Sequence, residues 1–242
     1  MLALFVNLPR RLVAAAFRGP DVASYQSVLT RLESYGLGIN SLISIGAGSG
    51  GDTLELAKVW PGARSLLVEA QEAHRPDLER LKASHKTVDF ALCAAAETDG
   101  SVRFGATTKT GGVVSETEGE SVPARRVDTL VKEYGLAAPF ALKFDTHGYE
   151  LPILDGATET LKSTALIMME VYNFKFDYVQ QKNLVFHEMC AYLGAHGFRF
   201  VDLCHPLFRP GDNVLWQFHA FFVRADHPFF ASNSYSGGKP LS

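Results

Sequence analysis

From Ser41 onward the chain alternates short apolar runs with longer segments of helical periodicity, and this alternation limits the possible folds more than any other feature. The runs SLISI (41–45), SLLVEA (65–70), TVDFALCAA (87–95), ALKFD (141–145) and ALIMMEV (165–171) are almost continuously apolar. A strand that is apolar on both faces is buried on both, as in a parallel sheet covered by helices. Between the runs lie DTLELAKVW, a helix stopped by Pro61, RPDLERLKASH, a helix opened by Pro76, and ELPILDGATETL, a further helix. After a helix around Asn183–His196, the pattern changes. FRFVDL and LWQFHAFFV follow with only the turn-rich CHPLFRPGDN between them, which predicts an antiparallel hairpin closing one edge of the sheet. The expected fold is therefore α/β: a Rossmann-like, mostly parallel sheet of seven strands with helices on both faces and an antiparallel C-terminal hairpin.

A chain of 242 residues with 47% hydrophobic and 20% charged residues is long and apolar enough for one sizeable core. The net charge of −3 and the lack of a basic run argue against a nucleic acid as partner. Cys93, Cys190 and Cys204 have no CxxC spacing, so neither a zinc framework nor disulfides are expected, and a reducing cytoplasm fits. The opening MLALFVNLPRRLVAAAF is too broken by Pro9, Arg10 and Arg11 to span a membrane and is expected to be a terminal helix. A second helix is expected over 22–36, with Val28, Leu29 and Leu32 on one face and Gly36 past its end. These readings divide the chain into a helical extension (1–37), a main domain (38–224) and a flexible, glycine-rich tail (225–242). The polar stretch 103–122 reads as a surface loop, of the kind that covers a site as a flap.

The first motif with chemical content is SIGAGSGG. Gly46, Ala47, Gly48 and Gly50 let the backbone turn sharply after a strand and approach a ligand. Gly46, Gly48 and Gly51 fit the dinucleotide GxGxxG; Gly46, Gly48 and Gly50 fit the GxGxG loop of S-adenosylmethionine enzymes. Glu69, followed by Ala70, ends the second apolar run, where an acid accepts hydrogen bonds from ribose hydroxyls. Asp89 and Ala91, in the third run, are the candidates for an adenine pocket. An adenosine ligand follows from this set, and the choice between NAD and S-adenosylmethionine stays open on it.

The second half bears on that choice, because a dinucleotide fold continues with further parallel units, whereas this chain ends in a hairpin. That order resembles the class I S-adenosylmethionine-dependent methyltransferases, and within them the chain resembles the FkbM-type family. The resemblance rests on LISIGAGSGGDT, LLVEA, VPARRVDTLVKEYGL, LKFDTHGYELPILDGA and GFRFVDL…LWQFHAFFVR. Lys143, Asp145, Gly148, Glu150, Gly156 and Ala157 match the family pattern. His147 stands where the family usually has glutamate, and Gly48 where it often has asparagine. The resemblance implies methyl transfer from S-adenosylmethionine to a hydroxyl on a sugar, glycan or natural product. Asp145 is then expected at the cofactor and His147 as general base, since an imidazole titrates near neutral pH. Glu170, Tyr172 and Asn173, at the next strand mouth, are expected to shape the acceptor pocket, beside an aromatic cluster of Phe174, Phe176 and Tyr178. A metal is not expected: a D-x-H pair with Glu170 leaves the geometry unspecified. The remaining readings are an NAD-type oxidoreductase and a non-catalytic module of the same fold.

Overall fold

The computed structural model describes residues 24–108, 111–115, 119–235 and 237. The expected terminal helix before Pro20 lies outside them. The described chain opens with helix α1, Tyr25–Ser34, capped by the Ser24 hydroxyl, which accepts from the Ser27 N–H. Strand β1 is Ser41–Ile45, followed by the short helix α2, Gly51–Ala57, and strand β2, Arg64–Glu69. Helix α3, Arg75–Ser84, leads to β3, Val88–Leu92, β4, Ala94–Ala95, β5, Gly100–Thr108, β6, Gly111–Ser115, and β7, Glu120–Arg125. Helix α4, Val127–Glu133, strand β8, Phe140–Phe144, helices α5, Glu150–Asp155, and α6, Thr158–Lys162, and strand β9, Thr164–Tyr172, follow. Helix α7, Phe186–Ala195, then precedes the hairpin β10, Phe198–Phe208, and β11, Leu215–Arg224.

The main sheet has seven strands in the order β10-β11-β9-β8-β1-β2-β3. Every pairing from β9 to β3 is parallel, and β11 runs antiparallel to both its neighbours. The five residues of β1 and of β8 are all buried, the physical reason for their mostly apolar character, with Ser41, Ser44 and Lys143 the exceptions. One face carries Ile43, Ile45, Leu142, Phe144 and Ile167 against α4–α7. The other carries Leu42, Ala141, Leu166, Met168 and Phe221 against Val28, Leu29 and Leu32 of α1. Helix α1 is also tied to β10 by polar contacts: Arg31 donates to both carboxylate oxygens of Asp202 at 2.6 and 2.8 Å, and Tyr35 Oη to the same group at 2.9 Å.

Four expectations are corrected. The stretch 103–122 is no loop: β5, β6 and β7 join β4 in a second sheet, order β4-β7-β5-β6. Its apolar residues, Val102, Phe104, Val113 and Val114, are scattered among glycines and polar residues, which masks the strand signal. The third apolar run divides at Cys93, whose N–H makes a bond to the Glu69 carbonyl before Ala94 and Ala95 pair with β7 in the second sheet. The helix expected over 150–161 is broken at Gly156, where the chain passes so close to Ala96 that a Cβ would collide with its carbonyl oxygen. Finally, the tail starts as an anchored segment. Phe229 packs edge-on against Tyr35, and the Arg199 guanidinium lies 4.1 Å from the Phe230 ring centre. Among the described residues, no helix is long and apolar enough to cross a membrane.

Candidate active site

A cavity of about 280 Å³ opens outside the carboxyl ends of β1, β2 and β8, where ligands of parallel sheets bind. Its floor is the turn after β1. Gly46 and Ala47 both donate their N–H to the Val68 carbonyl, at 3.0 and 3.1 Å, so the turn is bound to β2 as well as to its own strand. Gly46 has φ +71°, and a Cβ there would collide with the Asp145 carbonyl oxygen. Only glycine lets the turn pass beneath the end of β8. Gly48 has φ +53° and, unlike Gly46, is crowded by nothing closer than the His74 ring at 4.0 Å, so its side faces open space.

Glu69 ends β2 at the cavity and is 5% exposed. One carboxylate oxygen accepts from Gly48 N–H at 2.7 Å and the other from Gln71 N–H at 2.8 Å. The acid thus fastens the glycine turn to the chain leaving β2 while facing the cavity. Ala70, Gln71 and His74 continue that wall, Cys93, Ala94 and Ala95 form the next, and Phe104, Gly112 and Val114 of the second sheet close it. A glycine turn that allows close approach, a strand-end carboxylate and an apolar wall suit the ribose and base of an adenosine cofactor. Phe104 and Val114 were not expected here, since their segment read as a loop.

The opposite end holds the residues from the fourth strand. Lys143 is fully buried at 2% exposure and reaches Asp145 Oδ2 at 3.3 Å. Burial alone would raise the Asp145 carboxyl; the Lys143 ammonium, with His147 and His219 behind it, holds it below the usual carboxylate range. His147 has φ +49°, a left-handed conformation rare for a residue with a Cβ. Gly148 follows at φ +102°, and the pair turns the imidazole back over the strand end. His147 Nε2 lies 3.6 Å from Asp145 Oδ1 and 3.6 Å from Glu170 Oε2. Both distances exceed a hydrogen bond and leave room for adjustment. Glu150, buried at 3% exposure, closes the loop by accepting from Gly148 N–H at 2.8 Å and from Thr146 Oγ1 at 3.2 Å.

Glu170 is held on the other side, where Tyr172 Oη donates to one carboxylate oxygen and Gln217 Nε2 to the other. Burial, assisted by the neighbouring Asp145 charge, pushes its carboxyl up to about 7. Two adjacent carboxyls are thus driven apart, one kept ionised and one near its midpoint at neutral pH, as sites with separate acid and base duties require. His219, on β11 opposite Glu170, is pushed down to about 4 by burial and by Lys143.

The expected residues do not all converge. Gly46, Ala47, Gly48, Glu69, Ala70, Asp145 and His147 line the cavity. Gly50 lies behind it, its φ of +82° opening α2 against Leu67 and Leu81. Asp89 and Ala91 are not brought there. Asp89 is the second residue of β3, away from the ligand end, and pairs with Lys82 at 2.6 Å, while Ala91 is buried in the core. The wall they were expected to form belongs to Cys93–Ala95, just past the strand end. Glu170 and Tyr172 reach the site through His147, but Asn173 does not. Its side chain is exposed and donates to the Leu215 carbonyl at 3.3 Å, binding β9 to β11. The aromatic cluster is real and adjacent: Phe176 packs edge-on to Tyr172, stacks on Tyr178 and touches Trp216, with Phe176 and Val179 also against Gly148. Gln217 was missed, although a polar residue in the largely apolar last strand was a visible signal.

A family profile described as the methyltransferase FkbM domain matches residues 44–200. No curated protein matches the sequence. Among solved structures, precorrin-6y C5,15-methyltransferase from Geobacter metallireducens is 12% identical, with TM-score 0.46, covering 85% of this chain and 91% of that one. Fibrillarin from Aeropyrum pernix, with natively bound S-adenosyl-L-methionine, is 13% identical, with TM-score 0.46, over 80% and 74% of the chains. A SAM-dependent methyltransferase from Aquifex aeolicus is 14% identical, with TM-score 0.44, over 90% and 100%.

Proposed function

Because the chain belongs to the FkbM family of S-adenosylmethionine-dependent methyltransferases, we propose that it methylates a hydroxyl oxygen of a small sugar, glycan or natural-product acceptor, with His147 as general base. The family membership removes the dinucleotide reading that the glycine spacing had left open. In this reading Gly46–Gly48, Glu69 and Ala70 hold the cofactor, and the Asp145 end of the cavity receives the acceptor. Bound S-adenosylmethionine supplies a methyl group on a positively charged sulfur, ready for displacement by a nucleophile.

A hydroxyl is a poor nucleophile at neutral pH, so the chain's contribution is to align it and remove its proton. His147 takes that proton at a ring nitrogen as the oxygen–carbon bond forms. The imidazolium so produced is stabilised by the ionised Asp145 beside it. Glu170, anchored by Tyr172 and Gln217, orients the ring from the other side. The observation that carries the reading is the position of His147 Nε2, equidistant from Asp145 Oδ1 and Glu170 Oε2 at 3.6 Å, at the cavity rim. A small acceptor accords with the net charge of −3 better than a nucleic acid does. The three free thiols accord with action in the cytoplasm.

The test is transfer from S-adenosylmethionine carrying a ¹³C methyl to a panel of hydroxylated and aminated acceptors, with the product read by NMR. A new methyl resonance of the O–CH₃ class supports the proposal. Methyl groups found only on nitrogen or carbon overturn it.

A further inference from the structure

Beyond the methyl-transfer site, we propose that Cys204, His205 and His219 form a second site that binds one divalent zinc ion. Their ligand atoms, one sulfur and one imidazole nitrogen from each histidine, lie within 4.8 Å of one another. Zinc takes such thiolate and imidazole donors at about 2.0–2.3 Å, which brings ligand atoms to about 3.5 Å apart. Closing to that spacing requires side-chain adjustment within the cluster, for which the exposed His205 ring has the most room.

Three features of the backbone and packing make the cluster more than chance proximity. Cys204 and His219 are directly opposite each other on β10 and β11 and so share a face of the sheet. His205 is the next residue after Cys204 and in a regular strand would point to the other face. Instead the register shifts between Cys204 and Leu207, and His205 adopts φ +51°. That bulge returns its ring to the same side, edge-on to His219 with ring centres 5.7 Å apart and stacked on Tyr25 of α1. Bulges and left-handed non-glycine residues concentrate where a side chain is re-aimed for function. Second, His219 Nδ1 is buried without a hydrogen-bond partner, a cost that a bound cation would remove. Third, the Cys204 side chain is fully buried beside the two imidazoles. The charges facing the cluster are mixed: Asp52 favours a cation, whereas Arg31, already held by Asp202, and Lys143, held by Asp145, oppose it.

Binding releases the thiol proton and forms a metal–sulfur bond, with no change of oxidation state. Three protein ligands leave the fourth tetrahedral position to water. The ion would tie the bulge of β10 to β11 one strand away from Glu170, stiffening the wall beside the transfer site.

The test is titration of the chelator-treated full-length protein with Co²⁺, following the thiolate-to-cobalt charge-transfer absorption, and then displacement by Zn²⁺. One equivalent should produce the band, Zn²⁺ should abolish it, and Cys204→Ser should lack it while still binding S-adenosylmethionine in calorimetry. His219→Gln should weaken metal binding at least tenfold, and His147→Ala should leave it unchanged. A wild-type protein without the band, or a band that survives Cys204→Ser, overturns the proposal. So does a tenfold loss in His147→Ala with none in His219→Gln, which would move the ion to the Asp145–His147–Glu170 cluster.

Discussion

His147 Nε2 stands 3.6 Å from Glu170 Oε2, a carboxylate on the neighbouring strand that Tyr172 and Gln217 hold in place. The relationship joins a loop residue under backbone strain to a rigid strand end. If His147 removes the acceptor proton, His147→Ala should lower kcat by roughly 10²–10⁴-fold and leave the affinity for S-adenosylmethionine within about twofold. His147→Glu, restoring the residue usual in the family, should recover part of the rate. Transfer kinetics with a hydroxylated acceptor that the wild type methylates, paired with calorimetry, would check this; equal losses in rate and cofactor affinity would point to a purely structural role.

Glu170 makes stability depend on pH in a definite direction. Its carboxyl is raised from 4.5 to about 7 in the folded chain, so the native state holds a proton that the unfolded chain has released. Its contribution is therefore intact below about pH 4.5 and is lost as pH rises towards 7. Melting temperatures across that window should fall less steeply in Glu170→Gln than in the wild type. Parallel slopes in the two proteins would contradict the assignment.

Asp128 acts in the opposite sense. Burial raises its carboxyl, but bonds from Thr160 N–H at 2.8 Å and Thr160 Oγ1 at 2.7 Å, with Glu159 N–H and Arg126, outweigh burial and hold it below its ordinary value of 3.8. Its stabilisation is present above about pH 3.8 and is lost as pH falls through the lower folded value. Asp128→Ala strands those buried donors at the start of α6 and should cost about 1–3 kcal/mol at neutral pH. Urea denaturation of the two proteins at pH 7 would measure it.

Gly46 and Gly62 predict a contrast between two chemically identical changes. Gly46→Ala puts a Cβ into the Asp145 carbonyl at a left-handed position and should cost ~3 kcal/mol or more. Gly62→Ala meets nothing within 4 Å and should change stability by less than ~0.5 kcal/mol. Thermal melts of both variants decide whether close approach, rather than general loss of glycine, governs the turn.

Glu69→Ala removes the acceptor for Gly48 and Gln71 N–H together with the charge facing the ribose position. The affinity for S-adenosylmethionine should drop more than tenfold, with a stability loss of about 1–3 kcal/mol from the two stranded N–H donors. An unchanged affinity in calorimetry would remove Glu69 from the cofactor site.

Much of this architecture was legible in one dimension. Strands buried on both faces are largely apolar, so β1, β2, β8 and β9 announced themselves, as did the alternating hairpin on the edge. The glycine turn and Glu69 were readable because a turn beneath another strand tolerates no Cβ and a strand-end acid has a defined place. The second sheet was not, because its short strands are half exposed and interrupted by glycine and polar residues. Asp89 and Asn173 were misplaced for a related reason: strand limits read from composition shift by a few residues, a shift of one residue reverses the face of a side chain, and a shift of several moves it from one end of the strand to the other.

What the sequence determined by itself is the parallel sheet, its reversed last strand and the glycine turn with its acid, since local periodicity and steric need are written residue by residue. What only the tertiary structure decided is which distant groups meet: Glu170 with His147, His219 with Cys204 and His205, Phe104 with the cavity wall. Those meetings depend on strand register, on a bulge and on two left-handed histidines. These are set by the packing of the whole chain, and no local pattern of residues carries them.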